Sequence, residues 1–438
     1  MFRYYLTLGF RNLRRNPVLT ALMVITLAVG IGASMSTLTV LYVMSGDPIP
    51  SKSGHLFVPR LDNGLLRDRQ PGDEPDDQMT YRDASNLLAN GQGVRRTAIY
   101  GLATAIESGR DNLPPSLVNG IAPTADFFAM FEVPFLYGNA WNANDEASKS
   151  DVVVLSRKQS EKLFGNTNPV GKRIRLESAD FQIVGVIDHW HPLPRYYRLI
   201  NGNGGSFDGE EDFFIPFQTA VRHEMGNNGS NNCSGDAPAP GYQGWLDSEC
   251  TWIQFWFEGR SAADQKPLKD YLDAYVTEQK KLGRFQRPLN NRLHNLREWM
   301  EHVGVVSKDS KLSTWLAFGF LLVCLVNTIG LLLAKFSARA GEVGVRRALG
   351  ATRREIFRQY LIEAGVIGLV GGGFGLLLSF GGLWLISQQS DEMATVAHMD
   401  WAMLGLTLTL SIAASLIAGL LPTWRACQVM PAIQLKSQ

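Results

Sequence analysis

Four stretches of the chain are apolar and free of charge: Val18–Met44 (27 residues), Leu312–Ala334 (23), Ala364–Ile386 (23) and Trp401–Leu421 (21). Each is long enough to cross a hydrocarbon core of about 30 Å, which takes about 20 helical residues. Residues 46–311 hold no such run, and their pattern is of shorter period. Val152–Leu155 and Phe181–Ile187 are β-branched apolar runs that predict strands, as do Asp212–Phe217 and Thr251–Phe257. Lys172–Leu176 alternates like a half-buried strand. Leu155, Gln159 and Leu163 share a helical face behind Ser156 as N-cap, and Leu268, Leu272 and Tyr275 do so within a helix predicted over Ala262–Leu282. Gly, Asn, Ser and Pro mark loops at Asn201–Gly209 and Gly226–Gly244. After Pro288 a polar amphipathic stretch runs into the second apolar segment, which predicts one helix projecting above the bilayer. The fold class that follows is an α-helical membrane protein of four transmembrane helices, with a large mixed α/β domain inserted between the first and second.

An apolar share of 45% with 19% charged residues excludes a disordered chain. The net charge of +1 conceals two opposed biases. Arg3, Arg11, Arg14 and Arg15 precede the first span. Lys335, Arg339, Arg346, Arg347, Arg353, Arg354 and Arg358 lie between the second and third, and Arg425 and Lys436 follow the fourth. These segments carry a net +10, the insertion −6 and the 387–400 connection −3. Basic residues favour the cytoplasmic side, so both termini and residues 335–363 are expected there, with the insertion on the far side. Nucleic acid is not an expected partner. The expected division is an interfacial or simply extended cytoplasmic helix (1–17), spans at 18–45, 312–334, 364–386 and 401–421, the domain 46–311, a basic cytoplasmic segment 335–363, a short outer loop 387–400 and a tail 422–438. The first run is read as an uncleaved anchor. It exceeds a signal-peptide apolar region and ends at Ser45-Gly46-Asp47-Pro48 without an A-x-A-like site.

Candidate catalytic motifs fail on their own chemistry. Gly165–Lys172 (GNTNPVGK) imitates a phosphate-binding loop, but five residues separate the glycines, and Arg173 stands where a magnesium-ligating Ser or Thr belongs. His189-Trp190-His191 and His223-Glu224 supply too few metal ligands. No catalytic or metal-binding residues are therefore assigned. Cys233 and Cys250 lie in one Gly/Asn/Pro-rich stretch, and an oxidising compartment permits a disulfide between them; two free thiols are the alternative.

Glu342 and Arg346 stand at i, i+4 in the favourable order for a short helix, on which Val345, Ala348 and Leu349 form a narrow apolar face, directed to membrane or neighbouring spans. Gly350 can close that helix, and Thr352-Arg353-Arg354-Glu355 is a capping box for the next. Gly368/Gly372 and Gly371/Gly375 are overlapping G-x-x-x-G pairs, with Gly30/Ser34 and Gly32/Ser36 their counterparts in the first span. Such pairs serve close helix packing within one chain or across a dimer.

EVGVRRALGA, REIFRQYLIEA and the glycine-rich GLVGGGFGLLLSFGG together resemble the MacB/FtsX-type permeases of ABC transporters. ADFFAMFEVPFLYGNAW and DVVVLSRKQSEKLFGNTNPVGKRIRLESADFQIVGVI are similar to the MacB-type periplasmic core. The resemblance implies a non-catalytic permease of the bacterial inner membrane, both termini cytoplasmic and the large domain periplasmic. It would relay motion from a cytoplasmic ABC ATPase dimer, which holds the ATP and magnesium, to drive efflux from the periplasm. Because 17 residues precede Val18, the ATPase is expected on a separate chain. Glu342, Val343, Gly344, Arg346, Arg347, Ala348, Leu349 and Gly350 fall on the family's coupling segment, with Arg346 and Arg347 the expected ATPase or lipid contacts. Implied partners are a second permease copy or paralogue, membrane lipid, and a periplasmic adaptor with an outer-membrane channel. An FtsX-like signalling permease and a lipoprotein-releasing permease are the alternatives.

Overall fold

The computed structural model describes residues 16–70, 72–107, 114–199, 206–207, 209–233, 237–306, 308–389, 391–397 and 399–428. The helix expected over residues 1–17 and the tail after residue 428 fall essentially outside these. The chain divides into two compact units, residues 46–305 and the flanking segments 1–45 and 306–438.

The 46–305 unit is built on β1 (Leu56–Arg60), β2 (Met79–Thr80), β3 (Arg95–Glu107), β4 (Ser116–Pro123), β5 (Phe135–Gly138), β6 (Val152–Leu155), β7 (Arg173–Leu176), β8 (Ala179–Ile187), β9 (Phe213–Phe214), β10 (Asn232–Cys233), β11 (Cys250–Glu258) and β12 (Arg292–Asn295). The main path runs β12-β1-β11-β3-β4-β9-β6-β8-β5, with β2 and β10 on β11, and β7 bridging β3 and β8. The β4–β9 and β6–β8 pairs are parallel and the others antiparallel. Its core is strongly aromatic: Tyr100 meets Trp252 edge-on at 4.9 Å, and Trp245 stacks on Trp252 at 4.1 Å. Such pairs add directional attraction to the large apolar area they bury.

The strand–helix–strand passage from Val152 to Ile187 follows its sequence pattern. The hydroxyl of Ser156 accepts from Gln159 N and starts the helix Arg157–Phe164. Arg173–Leu176 alternates exposed and buried side chains. At Asp212–Phe217 the expected strand is cut to Phe213–Phe214, because Pro216 has no N–H for a ladder and its fixed φ opens the helix Phe217–Arg222. The helix Gln265–Lys281 buries Leu268, Leu272 and Val276 rather than Tyr275. The Tyr275 hydroxyl donates to Asp83 at 2.6 Å. Cys233 and Cys250 face each other in the β10–β11 ladder and are bonded, with Cα atoms 4.0 Å apart.

Among the described residues, four helices are long and apolar enough to cross a membrane: α1 (Pro17–Met44), α2 (Lys308–Ser337), α4 (Arg353–Ser387) and α5 (Trp401–Cys427), with the short α3 (Ala340–Ala348) between α2 and α4. At 1.5 Å per residue, the 35 residues of α4 extend about 50 Å, so its basic first turns lie beyond its apolar stretch. The expected continuous helix after Pro288 does not form. A capped helix, Leu296–Val303, ends where Gly304 takes φ +74°, and α2 starts separately at Lys308. A left-handed glycine is a common helix terminator, since it has no Cβ to clash.

Small residues let the long helices approach. A Cβ on Gly368 would meet Ser415 Oγ at 1.8 Å and one on Gly372 would meet Ser411 Oγ at 2.0 Å, so this pair faces α5. Gly371 and Gly375 face Leu27 and Ile31 of α1. On α1, Gly30 meets Cys324 and Leu321 of α2, and Gly32 meets Leu378 of α4. Ser34 Oγ donates to Ala317 O at 2.9 Å and Ser36 Oγ to Ser379 O at 3.2 Å. The glycine and serine pairs therefore pack within one chain.

Candidate functional site

The segment 335–363 folds onto the basic end of the helix bundle. Lys335, in the last turn of α2, places Nζ 2.8 Å from Glu363 Oε1 of α4 and 3.4 Å from Thr20 Oγ1 of α1. Arg339 Nη1 donates to both oxygens of Glu363, at 3.2 and 3.3 Å. The Lys335 and Glu363 side chains are 0% and 1% exposed. Phe336 and Tyr360, from the same turns of α2 and α4, pack with ring centroids 4.3 Å apart. Ions removed from water are costly unless paired, and breaking a buried pair on one side typically costs about 3–5 kcal/mol. Ionisable groups buried in a membrane bundle are rare and generally functional. The sequence pattern missed this node, since Lys335 and Glu363 register there only as charges flanking apolar runs. One signal was present: Glu363 is the acid next to the third apolar run in an otherwise basic segment.

Arg339 also leads directly into α3. The expected Glu342–Arg346 pair forms at 2.6 Å, and Arg346 Nη1 donates to Gln359 Oε1 of α4 at 3.0 Å. Val343 and Gly344 are buried. Val345 and Leu349 are 50% and 84% exposed, and Ala348 is exposed too. Of the two expected directions, membrane or neighbouring spans, the face is not packed on spans of the same chain among the described residues. Arg339, Val343 and Arg346 share one helical face, and Glu363 and Gln359 draw it inward by charge and hydrogen bonding. The apolar side chains at 345, 348 and 349 are turned outward as a consequence. Arg346 is thus held within the chain, and Arg347 is half-buried.

The boundary between α3 and α4 follows its sequence signals. Gly350 has φ +100°, and Ala351 N closes on Arg346 O at 3.1 Å. Thr352 accepts from Glu355 N while the Glu355 carboxylate accepts from Thr352 N at 2.9 Å, a reciprocal capping box. The 335–363 segment is therefore a helix, a tight turn and a capped helix, tied to α1, α2 and α4 through Glu363 and Lys335. Motion of α3 must either carry these helices with it or break buried ion pairs.

The near phosphate loop at Gly165–Lys172 has the reverse order of a nucleotide-binding loop. It follows a helix and leads into β7, whereas a phosphate-binding loop follows a strand and opens a helix. His223 bonds Asp151 at 2.6 Å beside Arg222.

A profile of the MacB-like periplasmic core domain matches residues 20–275, and one of the FtsX-like permease C-terminal region matches residues 315–431. The pyoverdine export ATP-binding/permease protein PvdT of Pseudomonas fluorescens is 24% identical over 424 residues, which are 95% of this chain and 55% of that protein. The macrolide export ATP-binding/permease protein MacB of Bdellovibrio bacteriovorus is 24% identical over 272 residues, 62% of this chain and 36% of that one. The chain spans about half the length of the curated relatives it matches. Among solved structures, the periplasmic region of MacB from Actinobacillus actinomycetemcomitans aligns with 58% of this chain and 95% of its own, at 14% identity and a TM-score of 0.36.

Proposed function

The chain belongs to the MacB/FtsX-type permeases of ABC transporters, and from that premise we propose that it is the permease subunit of an ABC-type export system. In this reading a cytoplasmic ATPase dimer closes on ATP. The motion passes through α3 to the helix bundle and on to the inserted domain, which drives substrate out of the periplasm. The four apolar helices and the MacB-like domain fit an inner-membrane protein. The charge bias supports cytoplasmic termini and a periplasmic domain. A second permease copy, a periplasmic adaptor and an outer-membrane channel complete the proposed assembly.

The observation that carries the coupling role is the mounting of α3. One face is anchored by Arg339 to Glu363 and by Arg346 to Gln359, and the opposite face presents Val345 and Leu349 outward. An anchored helix with an apolar outer edge suits a partner that pushes on it. Because Arg346 is engaged within the chain, the proposed ATPase contact moves from the two arginines alone to Leu349 and Val345, flanked by Arg347.

The test is co-purification of the ATPase, and its turnover in membranes, with Leu349→Glu, Val345→Glu and the Arg346→Glu/Arg347→Glu pair. Leu117→Glu, at a site 77% exposed in the other unit, is the control. A carboxylate buried against an apolar pocket without a partner costs several kcal/mol, so Leu349→Glu is expected to release the ATPase while Leu117→Glu does not. Retention and normal turnover with Leu349→Glu and with the arginine pair would remove α3 as the coupling element.

A further inference from the structure

At the basic end of the bundle a cavity of about 290 Å³ opens between the first turns of α4 and the last turn of α5. Its lining includes Arg353, Arg354, Phe357 and Arg358 from α4, with Trp424 and Cys427 from α5. Cys427 Sγ approaches Arg353 O at 3.7 Å and fixes one helix end to the other. Among the described residues no ion pair reaches Arg353, Arg354 or Arg358. Glu355, which lies between them in sequence, turns its carboxylate to Thr352 N and Oγ1 at 2.9 and 3.0 Å. Three arginines therefore line one small recess beside Phe357 and Trp424, and the Glu355 carboxylate, which feels the charge of Arg358, is the one acid among the described residues seen to act on them.

A second feature leads into the same recess. Ile417, Leu420, Leu421 and Trp424 are 63%, 47%, 45% and 56% exposed, and their spacing puts them on one face of α5. The face is an apolar track running up to the arginines, with Trp424 at the junction. Indole rings favour that junction because they are apolar in body and polar at the N–H. A cationic recess at the end of an apolar track has the form of one amphiphile: anionic head, then hydrocarbon tail.

We propose that the α4–α5 cavity binds the phosphate headgroup of an anionic phospholipid, whose acyl chains lie along Ile417, Leu420, Leu421 and Trp424. Guanidinium groups form forked, charge-assisted bonds to phosphate oxygens. The recess sits at the low end of the ligand-cavity range, roughly 300 Å³, so it takes a headgroup and leaves the chains outside. The apolar track selects lipid over free phosphate. Bound there, the lipid ties the start of α4, immediately after the coupling turn, to the end of α5. The site needs only that the helices span a membrane, so it stands or falls apart from the export reading.

The experiment is native mass spectrometry of the full chain in mild detergent, titrated with phosphatidylglycerol, phosphatidylcholine or inorganic phosphate. Wild type is expected to retain phosphatidylglycerol in preference to phosphatidylcholine. Arg353→Gln/Arg354→Gln/Arg358→Gln is expected to lower that preference about tenfold or more, given about fivefold per basic residue near a lipid phosphate. The Lys version of the same triple variant retains most of it. Arg67→Gln/Lys266→Gln/Lys281→Gln, the same change of net charge at exposed positions of the other unit, leaves it unchanged. Trp424→Ala weakens retention of phosphatidylglycerol. If the triple Gln variant loses helix content, the single Arg354→Gln and Arg358→Gln variants decide, each about fivefold down. The proposal is overturned by a wild type without headgroup preference, or by a Gln variant that keeps it. Displacement of phosphatidylglycerol by inorganic phosphate would overturn the lipid assignment.

Discussion

Gly372 gives the most direct test of the helix bundle. A Cβ there would stand 2.0 Å from Ser411 Oγ and 2.7 Å from Ser411 Cβ on α5. The hydroxyl can rotate aside, but the Ser411 Cβ belongs to a helix and moves only with it. Ordinary contact requires α4 and α5 to separate by about 1 Å here, and overpacking of this kind costs about 1–3 kcal/mol. Gly373 is the internal control, because a Cβ on it meets nothing within 4 Å. Gly373→Ala should gain about 0.5–1 kcal/mol, the usual difference between alanine and glycine in a helix. Gly372→Ala makes the same propensity gain, so the two neighbouring substitutions are expected to differ by the overpacking alone, about 1–3 kcal/mol, with Gly372→Ala the less stable. The assay is reversible unfolding in mixed micelles, followed by far-ultraviolet circular dichroism. Ser411→Gly should relieve Gly372→Ala, with a coupling energy of about 1 kcal/mol or more in the double-mutant cycle. Equal stabilities for Gly372→Ala and Gly373→Ala would refute intrachain packing of this seam. Damage from Gly373→Ala alone would mean that the outward glycines are the ones that meet a neighbour.

Further expectations concern orientation, the cysteines and acid. Cysteines placed at Lys266, whose side chain is 86% exposed, should react with an impermeant thiol reagent in intact cells, and at Ser337 only after lysis; labelling of Ser337 in intact cells would invert the topology. Mass mapping without reductant should recover the Cys233 and Cys250 peptides linked. With a separation of 17 residues, Cys233→Ser/Cys250→Ser should lose about 3 kcal/mol, less whatever the Trp245–Trp252 stack retains; free thiols in the native protein would end the idea. Burial, Arg60 and His302 hold the His294 imidazole below its usual value of 6.5. The folded chain then binds fewer protons than the unfolded one, so stability present at neutral pH is lost as pH falls through about 6.5 towards the folded value. His294→Asn should flatten the fall in melting temperature between about pH 7 and 5, and identical slopes would exclude the residue.

The four long helices were legible in the chain because their lipid-facing and packed sides are both apolar, so an uninterrupted run is enough to find them. Ser156, Thr352 and Gly350 were legible for a different reason: caps and helix ends are satisfied by atoms two or three residues away. The strand–helix–strand passage from Val152 to Ile187 shares that local character. β3 and β4 did not show themselves, since both faces of RRTAIYGLATAIE are largely covered and little alternation survives. Which helix each glycine meets depends on the rotation of α4 between α1 and α5, and G-x-x-x-G spacing is the same for either neighbour. Hydropathy grouped Val345, Ala348 and Leu349 on one face of α3 but left membrane and neighbouring spans as equal choices for what that face meets. Tertiary structure set the rotation: Glu363 and Gln359, distant in sequence, offer partners to Arg339 and Arg346, and paired cations can be buried where lone ones cannot. Apolar burial is additive and can be read residue by residue, whereas ion pairing needs two partners in one place, which only the folded chain brings together.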